Sequence, residues 1–396
     1  MTVATRPTIP ASRFAERLRA AQGLAGAGSL DAILVGVGAD LRYLAGYPAM
    51  PLERLTMLVI PARGAMSLVV PKLEAAPARL CPPAAAGDLP VVTWEEGSDA
   101  YALVAGLLRN GSNGAAAAGA GGPSIRVAIS DDLAARHLLP LQDRLGAAQF
   151  SLASAVLREQ RMIKDEDEIA LLRLAAQAAD RVVAQIARGR LIGRPEADVA
   201  EEVRARLVAE GHDEATFAIV ASGPNSASPH HEASDRTIQA GDPIVLDIGG
   251  MLGGYASDIT RTLWVTGGYA AKGPDEAFRH LFGVLHGAQD AARRAVAPGL
   301  PCEAVDAAAR RAIEAEGYGE AFFHRTGHGI GLEGHEDPYI IAGNTEPLRP
   351  GMTFSVEPGI YLPGVYGARI EDIVVCGPDG PIELNEALRE LYVVDG

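Results

Sequence analysis

The stretch IVLDIGGMLGGYASDIT, residues 244–260, sets an aspartate inside what otherwise reads as a fully buried strand. Asp247 follows Ile244, Val245 and Leu246 and precedes Ile248, and a second acid, Asp258, comes a few residues beyond the glycine-rich turn. A continuous run of branched apolar residues predicts a sheet strand covered on both faces. A carboxylate there is costly unless something compensates its charge.

The surroundings of the stretch recur further on. GDPIVLDIGG is echoed by GMTFSVEPGI, YASDITRTLWV by GARIEDIVVC, and ADVAEEVRARLVAEGH by VDAAARRAIEAEGY. Asp247 then aligns with Glu357 and Asp258 with Glu371. Two tandem helix-helix-strand-strand units are expected, each donating two acids from matching strands, packed about a pseudo-twofold axis with the carboxylates at the centre. A pair of carboxylates about 4 Å apart repels by roughly 4 kcal/mol at an effective dielectric near 20. The six pairs among four acids need roughly twenty kcal/mol of relief on the same count. Shared protons relieve part of it; divalent cations relieve it better, and oxygen-rich sites select them. Nitrogen ligands are at hand in FFHRTGHGIGLEGHEDP (322–338), which holds His324, His328 and His335 among glycines that let backbone approach closely.

The remaining sequence sets limits. Its 396 residues, 48% of them hydrophobic, suffice for two domains with ordinary cores. Fifty acidic against 35 basic residues give a formal charge of −15, which disfavours nucleic acid or an anionic membrane as a partner, because both need a basic face. Cys81, Cys302 and Cys376 are far apart and read as small core residues. No segment resembles a leader peptide or a membrane span, so a cytoplasmic protein is expected. Residues 111–124, GSNGAAAAGAGGPS, read as a flexible surface insertion. The first part of the chain alternates a helix, RFAERLRAAQGLAGAG, with short strands DAILVG, TMLVIP, MSLVVP and IRVAIS, which predicts an α/β layer domain over 1–157. A long amphipathic helix opens at KDEDEIALLRLAAQ, with its acids in the first turn, and a second begins at Pro195 and stops at Gly211.

IVLDIGG, SDITRT, HRTGHGIGLEGHEDP, FSVEPGIY and ARIED occur in the order found in the pita-bread metallopeptidases, the group of methionine aminopeptidase, aminopeptidase P and prolidase, which the chain resembles over 158–396. The resemblance implies a creatinase-like α/β N-terminal domain (1–157) followed by an α+β pita-bread catalytic domain (158–396) with an internal pseudo-twofold repeat. It implies two divalent ions on Asp247, Asp258, His328, Glu357 and Glu371, with Asp258 and Glu371 bridging. Four carboxylates and one imidazole form a hard site that favours Mn²⁺, with Co²⁺, Zn²⁺ and Fe²⁺ able to bind. Paired ions of this kind acidify a water and polarise a scissile carbonyl, with Glu357 taking the water's proton. His230, in NSASPHHEAS, and His335 match histidines that stabilise the tetrahedral intermediate and hydrogen-bond substrate, with His231 in a supporting position. His324 and Tyr361 match pocket residues of proline-specific members. Arg369 and Glu371 are two apart, so Arg369 is expected to orient the bridging carboxylate.

An N-terminal domain of this type accompanies prolidase, aminopeptidase P and creatinase, and leads to small peptides with proline at the second position as substrates. Xaa-Pro dipeptidase is the leading expectation, with Xaa-Pro aminopeptidase as the alternative; a metal-free creatinase-like enzyme or a non-catalytic binding module conflicts with the intact acid set. Some prolidases carry a carboxylate-binding arginine four positions after the histidine matching His335, where this chain has Tyr339. Arg42, in ADLRYLAGY (39–47), is the substitute the resemblance suggests, acting across a homodimer.

Overall fold

In the computed structural model, which describes residues 6–111 and 124–396, the alternating apolar stretches of the first part form one mixed sheet. Its strands are β1 (Ala32–Val35), β2 (Met57–Pro61), β3 (Ser67–Pro71), β4 (Val91–Trp94), β5 (Arg126–Ile129) and β6 (Gln149–Leu152), in spatial order β4-β3-β2-β1-β5-β6. Every residue of β1, β2 and β3 is buried, as their uninterrupted apolar runs demand. Helices Ala100–Gly111 and Ala135–Leu145 supply Val104, Leu108 and Leu141 to the core on the sheet. ADLRYLAGY forms a short helix, Ala39–Ala45, stopped by Gly46 at φ 64°, a left-handed conformation that glycine adopts without strain. Nearly all of the glycine- and alanine-rich insertion expected at 111–124 lies outside the described residues.

The chain divides into two compact units between Arg161 and Met162. The expected division at 157/158 falls inside helix Ser154–Met162, which runs on without a break. Of the described N-terminal residues, 6–8 belong with the second unit, where Arg6 pairs with Asp213 at 2.8 Å.

The second unit opens with helix Glu166–Ala187, whose expected first-turn acids form a capping box: Asp165 accepts from the Glu168 N–H, and Glu168 from the Asp165 N–H. Helix Glu196–Ala209 follows, capped by Pro195. Strands β7 (Glu214–Ser222), β8 (Pro243–Leu252) and β9 (Tyr255–Val265) build an antiparallel sheet that the C-terminal β17 (Tyr392–Val394) joins alongside β9. The second half repeats the scheme with helices Glu276–Arg294 and Cys302–Ala315 and a sheet of β10 (Gly327–Gly329), β11 (Glu336–Ile340), β12 (Thr353–Val356), β15 (Asp372–Gly377) and β16 (Gly380–Glu383). Between these last strands lies the hairpin of β13 (Gly359–Leu362) and β14 (Tyr366–Arg369).

The internal repeat is visible in the backbone. Gly241 N–H donates to Val265 O at 2.7 Å, and Val265 N–H returns a bond to Asp242 O at 2.9 Å. Gly351 with Cys376, and Cys376 with Met352, repeat the pattern at 2.9 and 2.8 Å. Both glycines have φ above +90°, at 97° and 93°. Each half also has its own apolar core, and strand alternation separates core from centre. In the first half Leu246, Ile248, Ile259 and Leu263 point into one core, so Asp247, Asp258 and Thr260 point the other way. In the second, Phe354, Val356 and Ile370 point into the other core, leaving Ser355 and Arg369 on the opposite side. The halves differ in one respect. Asp247 and Asp258 lie within long paired strands, whereas Glu357 and Glu371 fall at strand ends, and the Glu371 backbone meets the first sheet through a bridge to Thr260 and a bond from Arg261 Nη1 to its carbonyl at 2.6 Å.

Candidate metal centre

Asp247 pairs with Thr260 and Gly249 with Asp258 across β8 and β9, which sets the two aspartates diagonally on one face. Ligand atoms of Asp258, His328 and Glu371, all buried, lie within 4.8 Å of one another. The His328 Nε2 is 3.2 Å from Glu357 Oε1 and 3.8 Å from Asp258 Oδ2. Its Nδ1 faces the Gly329 carbonyl at 3.1 Å, so Nδ1 carries the proton and the Nε2 lone pair is aimed at the acids. The glycines beside His328 are required sterically. A Cβ at Gly327 would overlap the Ser355 carbonyl and one at Gly329 the Asp337 carbonyl. Ser355 Oγ accepts from His328 N–H at 3.0 Å and donates to Glu357 Oε1 at 3.2 Å, tying the two together.

Burial first, and then the neighbouring acids, hold the carboxyls of Asp258 and Glu371 far above the usual range. Burial likewise pushes Glu357 up to about 7. For His328 burial, reinforced by His335, lowers the imidazole to about 3. Among the described residues, buried Asp247 Oδ1 and Glu371 Oε1 have no hydrogen-bond donor. Carboxylates crowded together with orphaned oxygens, facing a bare imidazole nitrogen, fit divalent cations; a proton network would have filled those positions with donors.

Arg369 corrects one expectation. Its direct carboxylate partner is Asp247, with Nη2 donating to Oδ2 at 2.5 Å, and Glu371 is reached only through a relay. Arg369 Nε donates to Thr260 Oγ1 at 3.0 Å, and the Thr260 hydroxyl donates to Glu371 Oε2 at 2.7 Å. Arg369 Nη1 also donates to the Tyr361 hydroxyl at 2.8 Å, and that hydroxyl lies 3.1 Å from His324 Nε2. Because His324 Nδ1 faces the Arg325 carbonyl at 2.7 Å and must donate there, Nε2 accepts from Tyr361. Burial, then the Arg369 charge, lowers His324 to about 4 and keeps it neutral. Phe323, 63% exposed, stands beside these rings at 5.6 Å from Tyr361 and 6.2 Å from His324. Nothing in the sequence marks it, since its role depends on its being left uncovered.

His335 packs edge-on to His328 with ring centroids 4.1 Å apart, and its pKa is lowered by burial and by Arg325. His230 is exposed on the loop after β7. Pro229 O accepts from Arg369 at 3.3 Å, and Ser226 Oγ accepts from Gly367 N–H at 2.9 Å, so the loop is anchored to β14. The main anchor of this loop is Glu196, the first residue of helix Glu196–Ala209 and fully buried. Its two oxygens accept from the N–H and hydroxyl of both Ser222 and Ser234, from Asn225 Nδ2 and from His231 Nε2. Burial opposes its charge, yet the Ser222 and Ser234 donors bring it down to about 2. Asp306 does the same for the histidine loop, accepting from Thr326 N–H at 3.1 Å, Thr326 Oγ1 at 2.8 Å and Arg310 at 2.9 Å. Sequence reasoning passed over both acids; each lies near the start of its helix, where an acid reads as favourable to the helix dipole. Arg42 belongs to the other unit, on the last turn of helix Ala39–Ala45.

No helix among the described residues is long and apolar enough to cross a membrane. Comparison with known proteins agrees with the architecture. Residues 17–163 match the creatinase/prolidase N-terminal domain, and residues 170–378 match metallopeptidase family M24. A Mycobacterium tuberculosis protein named as the probable dipeptidase PepE is 46% identical over 96% of both chains. A Pyrococcus horikoshii Xaa-Pro dipeptidase is 32% identical over 92% of this chain and 95% of its own. The crystal structure of dipeptidase PepE from Mycobacterium ulcerans superposes with a TM-score of 0.88 at 44% identity, covering 98% of this chain and 99% of that one. With the acid centre, the repeat and the N-terminal sheet all in place, the chain belongs to metallopeptidase family M24 and is an enzyme of that metal-dependent class.

Proposed function

We propose that the enzyme is an Xaa-Pro dipeptidase using two divalent cations, Mn²⁺ for preference, held by Asp247, Asp258, His328, Glu357 and Glu371. The observation that carries this reading is the convergence of buried acids with the unpartnered Asp247 Oδ1 and Glu371 Oε1 around His328 Nε2. Bound cations supply acidification of water and polarisation of the scissile carbonyl. The protein's own groups do the rest. Glu357 Oε1, placed 3.2 Å from His328 Nε2 among the acids, is the carboxylate that would take the proton of the attacking water. His335, neutral and set against the His328 ring, donates to the carbonyl oxygen as charge develops on it. His230 hydrogen-bonds the substrate backbone from a loop that Glu196 holds in place. His324, Tyr361 and Phe323 offer a surface of rings whose polar atoms are already engaged with one another, suited to a prolyl ring whose nitrogen has no N–H to satisfy.

Support for a dipeptide substrate comes from the relatives named as dipeptidases. The three cysteines, all buried, accord with the reducing cytoplasm proposed as its location, and a homodimer is proposed as its assembly. The test is a panel of Xaa-Pro dipeptides and Xaa-Pro-Xaa tripeptides, assayed after chelation and after readdition of Mn²⁺, Co²⁺ or Zn²⁺. Faster cleavage of dipeptides, restored best by Mn²⁺, is the expected result. Equal or faster cleavage of tripeptides makes the enzyme an Xaa-Pro aminopeptidase, and full activity without metal overturns the mechanism.

A further inference from the structure

A dipeptidase must recognise a free carboxylate attached directly to the prolyl ring, and within the second unit one cation is placed for it without an acidic partner. Arg325 follows the pocket residues Phe323 and His324, and its side chain is half-buried. In a chain with 50 acids against 35 bases, Arg261, Arg310, Arg369 and Arg389 all bind carboxylates, yet among the described residues the Arg325 guanidinium has no hydrogen-bond or ion-pair partner. It stands over the ring of Tyr339, with the guanidinium carbon 4.6 Å from the ring centroid.

That contact fixes the location. Tyr339 is the cross-strand partner of His328 between β10 and β11, and residues directly opposite in an antiparallel pair point to the same face. The tyrosine ring is therefore on the side of the sheet where His328 meets the acids, and it carries the guanidinium with it. The backbone on either side is held: Arg310 donates to His324 O at 3.0 Å, Asp306 accepts from Thr326 N–H at 3.1 Å, and the Arg325 carbonyl accepts from His324 Nδ1 at 2.7 Å. An arginine stacked by its face keeps its edge N–H groups available, in the planar fork that a carboxylate fills with two parallel hydrogen bonds.

We infer that Arg325, carried on the ring of Tyr339, binds the C-terminal carboxylate of the dipeptide substrate and so selects dipeptides over longer peptides. This rests on the dipeptidase reading above. A third residue on the substrate replaces the charged carboxylate by an amide, which removes the charge-assisted pair and adds bulk at the guanidinium. Its positive charge also reaches the reacting groups, contributing to the lowered pKa of His335 and opposing the rise at Glu357.

The experiment compares Ala-Pro with its C-terminal amide and with Ala-Pro-Ala, for the wild type and for Arg325→Gln, Arg325→Lys, Tyr339→Leu and Arg42→Gln. Metal content and melting temperature are measured for each, and inhibition by proline against prolinamide reads the same preference without turnover. The wild type should prefer the free acid. Arg325→Gln should raise KM for Ala-Pro by about tenfold to a hundredfold, with a smaller change in kcat, and collapse the acid-over-amide ratio toward one. Arg325→Lys should recover part of that ratio, because charge without the fork is retained, and Tyr339→Leu should fall between. Should Arg325→Gln unfold or lose metal, Arg325→Lys and the inhibition ratio decide the question. An unchanged acid-over-amide ratio in the Arg325 variants overturns the assignment, and its loss in Arg42→Gln would move the clamp to the N-terminal unit. A wild type with no preference for the free acid overturns the dipeptidase reading itself, and this assignment with it.

Discussion

Two groups of buried carboxylates lie in the second unit, and they solve the same physical problem in opposite ways. Glu196 is surrounded by six donors, two backbone N–H groups among them, and its carboxyl drops to about 2. Asp247, Asp258, Glu357 and Glu371 are surrounded mainly by one another, two of their oxygens have no donor among the described residues, and Asp258 and Glu371 rise far above the usual range. A buried acid saturated with donors is a structural anchor. A buried acid short of donors, beside others and a bare imidazole, has the makings of a cation site. Burial alone would have ranked them together; counting donors separates the anchor from the site.

The largest effect should come from breaking the centre. Asp258→Asn removes one charge from the cluster, so it should lose metal and cut kcat/KM by about a thousandfold or more. Yet its chelated form should melt no lower than the chelated wild type, since repulsion has been relieved. Metal analysis and paired melting curves check both statements; a metal-replete Asp258→Asn would show that the acid is not a ligand. The anchor should respond in the reverse sense. Glu196→Ala strands six donors, four side chains and two backbone N–H groups, around an empty position, so it should cost about 3 kcal/mol of stability while stoichiometric metal binding persists. Denaturant titration with metal analysis distinguishes this from a loss of cations.

His335→Ala lies next in size. As a group that acts on the carbonyl oxygen, it should lower kcat by about a hundredfold with metal content near that of the wild type. An emptied centre would instead make His335 part of the binding set. The pH dependence of stability sharpens the contrast further. In chelated protein the Glu357 carboxyl is at about 7 against 4.5 for an exposed glutamate, so the folded state keeps a proton that the unfolded chain releases. Its contribution is complete below pH 4.5 and is lost as pH rises through 7, on the order of 3 kcal/mol in all. Glu196 runs the other way, contributing fully above 4.5 and losing that contribution as pH falls toward 2. Melting temperatures of chelated wild type and Glu357→Gln between pH 4.5 and 8 test the first statement; a slope that survives the substitution assigns it to other groups. The smallest effect expected is from Tyr361→Phe, which removes the hydroxyl between Arg369 and His324 at a cost of about 1 kcal/mol, read as a severalfold loss of kcat/KM on Xaa-Pro substrates.

The two halves of the repeat offer a second contrast. Asp247 and Asp258 could be placed on one face from sequence alone, because they lie in long strands where period two holds. Glu357 and Glu371 fall where β12 and β14 end, and there alternation no longer dictates direction. Arg369 shows the consequence: its spacing from Glu371 suggested that it orients that carboxylate, and it does reach Glu371 through Thr260, but its direct carboxylate partner is Asp247.

By itself the sequence determined the layered N-terminal domain, the internal repeat, the four centre acids and the glycine-flanked His328, because local periodicity, steric demands on glycine and the cost of burying charge act over short stretches. Only the tertiary structure decided which polar group meets which. Glu196 with Ser234, Arg369 with Asp247 and Arg325 with Tyr339 are set by long, rotatable side chains converging from distant segments. The difference between an anchored carboxylate and one awaiting a cation is a count of donors in space, and no spacing along the chain encodes it.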